Sequence, residues 1–158
     1  MIRVTADLHI GDSYLARRGF GSAGEMAEYV LGIWNRDVGA EDDVYVIGDF
    51  VMDGWESYVE RMVGRIHLIR GNHDTESAMH ALWERGVEIL GHVHELNIQE
   101  RVILVHKPTA QVAGSDGAVP IMLHGHGHSN RATDVGIWSW DKIPTLEEAV
   151  AYAKGAVS

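Results

Sequence analysis

The chain contains no cysteine. That excludes disulfides, thiolate metal sites and a cysteine nucleophile, and nothing points to an oxidising compartment. Three prolines stand against 18 glycines, so tight turns must rest on glycine. No apolar run approaches the roughly 20 residues needed to cross a bilayer, so no membrane partner is expected. The opening MIRVTADLHI runs straight into a strand pattern without the layout of a signal peptide, and a cytoplasmic location is expected. Basic residues are also few. Thirteen Lys and Arg against 23 Asp and Glu give a net charge of -10, which leaves no basic face to attract nucleic acid in bulk. Repeats, low-complexity tracts and linkers are absent. The 158 residues therefore read as a single domain spanning 1–158, long enough to bury a core.

What the chain does have is histidine: ten of them, alongside the 23 carboxylates. An Asp- and His-rich chain without thiolates favours a hard or borderline divalent metal over a soft one. Short apolar runs at 2–5, 44–47, 66–69, 87–90, 96–98, 102–105 and 121–123 read as buried strands. Helical patterns cover 22–35, 55–63, 75–85 and 145–154. The last has Thr145 as N-cap with Glu148 in the capping-box position. Strands alternate with helices in the first half and dominate the second, which predicts an α/β fold with a mixed sheet.

The segment LIRGNHDT, 68–75, poses the functional question. An apolar strand stops at a glycine, and Asn72, His73 and Asp74 follow at once. The same pattern recurs along the chain. IRVTADLH ends in Asp7 and His9, DVYVIGD in Asp49, VILVHKP in His106, and IMLHGHGH in His124, His126 and His128. Five strands thus carry metal-capable side chains at or just past their C-terminal ends, the edge where α/β sheets bind ligands. Oxygen and imidazole donors suit Mn, Fe, Zn, Ni or Mg. A donor set of this size exceeds what one ion needs, and matches two ions about 3.5–4 Å apart that share a carboxylate.

On these residues the sequence resembles the calcineurin-like metallophosphoesterases, in particular a compact, capless branch found in bacteria and phages. DLH (7–9), GD (48–49), GNHD (71–74), VHKP (105–108) and GHGH (125–128) occur in the family's order. The resemblance implies two mixed β-sheets packed face to face in a four-layer sandwich, helices outside and metals at one end. It implies that Asp7, His9 and His128 hold one divalent ion and that Asn72, His106 and His126 hold a second. Asp49 bridges them, with Mn²⁺ the first choice of metal. A hydroxide held between the ions would attack a phosphodiester, or a phosphomonoester, of a small molecule. His73 would assist the leaving group, and Asp74 would hydrogen-bond to the His73 imidazole.

Each residue also has a plain reading. Asp7 and Asp49 can serve turns, Asn72 can sit in a left-handed turn, Asp74 can cap the helix at Thr75, and His106 can be a core histidine. A second Gly-His-x-His, GHVH at 91–94, precedes the lone histidine of the family order, so His92 and His94 are read as non-ligands. His124 is read as core or supporting, and Asp53 as a turn residue. Asp12 stands where the capless branch often carries another histidine. Tyr14, Arg17, Arg18, Asn130 and Arg131 are secondary candidates for substrate contact. Two alternatives come from other classes, a scaffold or protein-binding module on the same fold and a nuclease. Nothing in the sequence sets the oligomeric state or the physiological substrate.

Overall fold

A computed structural model describes residues 1–108, 119–127 and 132–155. His128, Asn130 and Arg131 lie outside the described residues. Two sheets form the frame. The larger has the order β1 (Ile2–Thr5), β2 (Asp43–Ile47), β3 (Arg65–Ile69), β4 (Glu88–Ile89) and is parallel throughout. The smaller has the order β5 (Val93–Asn97), β6 (Arg101–Val105), β7 (Ile121–Leu123). Here β5 and β6 are antiparallel while β6 and β7 are parallel, so the mixing of directions is confined to this sheet.

The period-2 alternation of strands explains the layers. Val44, Val46, Ile66 and Leu68 turn to one face of the larger sheet. There they meet Val30, Ile33 and Trp34 of α2 (Ala23–Asp37) and Met79 and Leu82 of α4 (Glu76–Glu84). Ile47 and Ile69 turn to the other face and pack with Val102, Leu104 and Leu123 of the smaller sheet, and with Leu146, Ala149 and Val150 of α6 (Leu146–Ala153). The sandwich is therefore held by aliphatic side chains, each worth about 1.5–3 kcal/mol when fully buried.

Helix starts follow the expected chemistry. Ser22 caps α2 by accepting from the Glu25 amide, Thr75 caps α4 through Ala78, and Thr145 and Glu148 form the reciprocal capping box of α6. Three expectations change. The helix expected over 55–63 is only Glu56–Val59. The strand expected at 87–90 pairs over two residues. The one expected at 96–98 runs Val93–Asn97, because its antiparallel pairing with β6 starts at Val93↔Val105. Two short helices carry no strong sequence signal: α1 (Ser13–Ala16), capped by Asp12, and α5 (Ile137–Trp140).

Candidate metal centre

Parallel pairing of β1 with β2 continues as backbone bonds past the strand ends, and this brings their motifs together. The Asp7 amide donates to Gly48 O at 3.1 Å, His9 to Asp49 O at 2.9 Å and Ile10 to Phe50 O at 3.0 Å. Asp7, His9 and Asp49 all adopt left-handed backbone, with φ of 57°, 48° and 52°, and so does His126 at 65°. Asp and His enter this region more readily than most residues, yet each such position still costs about 1–3 kcal/mol. The surroundings hold them there. The Asp49 amide is bound by Asp74 Oδ2 at 2.9 Å, and the His126 amide by the Asp7 carboxylate at 3.0 Å.

These turns gather two donor groups. Asp7, His9 and Asp49 present ligand atoms within 4.8 Å of one another, and Asp49, His106 and His126 do the same. Asp49 is common to both. Asn72 adjoins the second group, its Oδ1 3.0 Å from His106 Nε2. Asp7, His9, Asp49 and His106 are buried, whereas Asn72 and His126 are exposed.

Protonation states test whether this set suits a cation. His106 Nδ1 sits 2.9 Å from the Ile47 carbonyl, which can only accept, so that nitrogen carries hydrogen. Nε2 then faces Asn72 Oδ1 at 3.0 Å and Asp49 Oδ2 at 3.2 Å. A lone pair, an amide oxygen and a carboxylate converge, and only a proton or a metal cation can satisfy all three. Burial opposes charge on His106, but the hydrogen bond and charge of Asp49 outweigh it and push the imidazole up. Burial works on Asp7 in the other sense. Its carboxyl is pushed up to about 7, with His106 opposing the rise and the Asp49 charge adding to it. Asp49 is itself desolvated, yet the His106 hydrogen bond and the His73 amide hold it below the usual carboxylate range. The donor set fits divalent metal.

Glycines before Asp49 and Asn72 are required by close approach. A Cβ on Gly48, which has φ +76°, would collide with the His106 ring. One on Gly71 would run into the Asp49 carboxylate and amide. Gly71 therefore supplies room for Asp49, with a φ outside the left-handed region.

His73 is exposed and bears on the cluster from one side. Its amide donates to Asp49 Oδ1 at 2.9 Å, and its ring centroid is 5.7 Å from that of His9. The expected bond from Asp74 to the His73 imidazole is not formed. Asp74 is buried and spends its carboxylate on three backbone amides instead: Asp49 at 2.9 Å, Phe50 at 2.9 Å and Gly71 at 2.7 Å. It staples the GD loop to the GNHD loop. Thr75, not Asp74, caps α4.

Other positions resolve as follows. Asp12 Oδ2 lies 3.2 Å from His9 Nδ1, placing a carboxylate behind the imidazole whose Nε2 points to Asp49. His94 stacks on Tyr45 between the sheets, and His124 is buried with Nε2 3.0 Å from Thr133 Oγ1. His92, at the mouth of a cavity beside Asn72, belongs to neither donor group. Sequence reasoning missed Trp138, whose Nε1 donates to the Asp7 carbonyl at 2.6 Å. No motif marks it, since the contact spans 131 residues.

The sequence model of the calcineurin-like phosphoesterase family matches residues 1–149. The chain belongs to that family. Members hydrolyse phosphoric esters with divalent metal, and the buried Asp and His groups described above supply metal donors. The gene 66 protein of Mycobacterium phage D29 is 25% identical, over 91% of each chain. The crystal structure of AQ665, a protein of unknown function from Aquifex aeolicus, matches with a TM-score of 0.74 at 19% identity. It covers 94% of this chain and 96% of that one, and shares the fold. Among the described residues no helix is long and apolar enough to cross a membrane.

Proposed function

We propose that this metallophosphoesterase is a dinuclear phosphodiesterase acting on a small-molecule ester in the cytoplasm, with phosphomonoesters as a second substrate class. The observation that carries this reading is the pair of donor groups joined by Asp49. Asp7, His9 and His128 would hold one ion, Asn72, His106 and His126 the other, and Asp49 would be shared between them; Mn²⁺ suits these oxygen and nitrogen donors. When bound, two cations supply Lewis acidity, easing deprotonation of water and neutralising phosphate charge. The protein's own part is orientation and proton transfer. The Ile47 carbonyl fixes the His106 ring, Asp12 backs His9, and the Asp74 staple fixes the loops that carry Asp49, Asn72 and His73. His73, tethered through its amide to Asp49, gives a proton to the departing alkoxide from its exposed imidazole.

The test is hydrolysis of bis-p-nitrophenyl phosphate and p-nitrophenyl phosphate by metal-stripped and Mn²⁺-loaded protein, wild type and His73→Ala. Metal-dependent turnover, faster on the diester, should fall about a hundredfold or more in the variant while metal binding persists. Turnover that ignores EDTA, or survives His73→Ala intact, would refute the assignment.

A further inference from the structure

Two cavities flank the candidate metal centre, and their charge differs. On the Asn72 and His106 side lies a cavity of about 340 Å³ bordered by Arg70, His92 and Lys107. On the His73 side lies a larger one, about 530 Å³, bordered by Thr75, Ser77, Asp53 and Glu56 with Trp55 buried in its wall. His73 itself belongs to that wall, so the cavity opens directly onto the proposed proton donor.

No lysine or arginine is among the described residues that border the larger cavity. Arg85 stacks over the Trp55 ring at 5.2 Å and is otherwise engaged by Glu60 at 3.8 Å and the Ala81 carbonyl at 3.1 Å. Arg70 belongs to the other cavity and is held by Glu76 at 2.5 Å. What the larger cavity offers a guest is two hydroxyl groups and two carboxylates beside an apolar wall of Val51, Met52, Ala78 and Ala81, with the buried Trp55 indole already covered by Arg85. The hydroxyls hydrogen-bond polar guests, and the two carboxylates attract cations and repel anions.

We infer that the cavity beside His73 receives the leaving alcohol of the ester and selects alcohols that bear no negative charge. The inference rests on the phosphoesterase reading above and narrows it to a substrate class: esters of neutral polar or amine-bearing alcohols. The geometry also orients the substrate. Phosphorus sits at the donor cluster and the alcohol oxygen at His73. Any further anionic part lies toward Arg70, His92 and Lys107. Hydrolysis consumes one water; the P–O bond to the alcohol breaks, and the alcohol leaves with the His73 proton.

The test uses methyl aryl phosphodiesters whose phenol carries para trimethylammonium, hydroxymethyl or carboxylate, with release of the phenol followed. Intrinsic leaving ability differs among them, so the readout is the cation-to-carboxylate ratio of kcat/KM in wild type against Asp53→Lys and Glu56→Lys. Both side chains are exposed, so these variants keep their core. The ratio should fall about tenfold in each variant, the equivalent of about 1.4 kcal/mol. A second readout needs no turnover. With Mg²⁺ present, 4-(trimethylammonio)benzyl alcohol should shift the Trp55 indole and Ser77 amide NMR signals, and 4-(hydroxymethyl)benzoate should not. Metal-dependent turnover with an unchanged ratio, or equal shifts from both alcohols, overturns the inference while leaving the phosphoesterase reading intact. Inertness toward all three diesters and both p-nitrophenyl esters removes the phosphoesterase reading and, with it, the leaving-alcohol role.

Discussion

The two donor groups share Asp49 but are made differently. Asp7, His9 and Asp49 all come from the turns after two adjacent parallel strands, and all three are buried. Their left-handed backbones are locked by bonds between the 7–10 and 48–50 segments and by Asp74. Asp49, His106 and His126 meet only because the smaller sheet packs on the larger, and His126 is exposed. One half of the site is thus set by strand register within a sheet, the other by docking between sheets. The first should be rigid and sensitive to protonation, the second more tolerant.

Substitution of Asp49 strikes both halves. Asp49→Ala should lower kcat/KM by at least about a thousandfold, since Lewis-acid stabilisation worth several kcal/mol goes with the shared donor. Metal stoichiometry by calorimetry should fall below two. Retention of two tightly bound ions would show that the halves are independent.

Asp74→Ala acts on the buried half through its backbone. Three buried amides lose their acceptor. At about 1–3 kcal/mol for each stranded group, moderated by water entry, a loss of about 3 kcal/mol or more is expected in urea denaturation. A role confined to tuning His73 would leave the urea midpoint unmoved.

Asp12→Asn should weaken binding of one ion about 10- to 100-fold, the usual consequence of losing the carboxylate behind a metal-binding histidine. His126→Ala should weaken the other ion and spare this one. Equal losses at both ions in either variant would erase the distinction between the halves.

The smallest effect is a pH dependence. Burial holds Asp7 protonated up to about 7, and a ligand must shed its proton to bind metal. Below that value, apparent affinity should fall about tenfold per pH unit, with one proton released per ion bound to the Asp7 group. Calorimetry in two buffers of different ionisation enthalpy reads this directly. Without metal the sign for stability is opposite to that of an ordinary ion-paired aspartate. The folded-state value lies above the unfolded one, so the contribution is fully present below about 4 and lost as pH rises through about 7. Added metal should reverse the trend. A metal-free protein that gains stability from pH 5 to 7 on account of Asp7 would contradict this environment.

Much of this was legible in the residues. Strands β1, β2, β3, β6 and β7 announce themselves as apolar runs, and the donors follow each within a few positions. The capping box at Thr145 and Glu148 reads directly because both partners lie within one turn. The length of β5 was not legible, because pairing with β6 decides it. The short helix Glu56–Val59 likewise stops early although its apolar pattern continues. Asp74 was misread for a related reason. Its neighbour in sequence is His73, but its carboxylate turns inward to amides 25 and 24 residues away.

The sequence by itself determined which chemistry is available: oxygen and imidazole donors after successive strands, no thiolate, and a histidine set apart from them in GNHD. These properties belong to side-chain type and local strand ends, which the chain carries whatever its packing. Only the tertiary structure decided which donors share Asp49, that Asp74 and Trp138 brace the cluster, and that one flanking cavity is acidic and the other basic. Each of these is a distance between elements remote in sequence, and such distances exist only once two sheets have buried their aliphatic faces against each other.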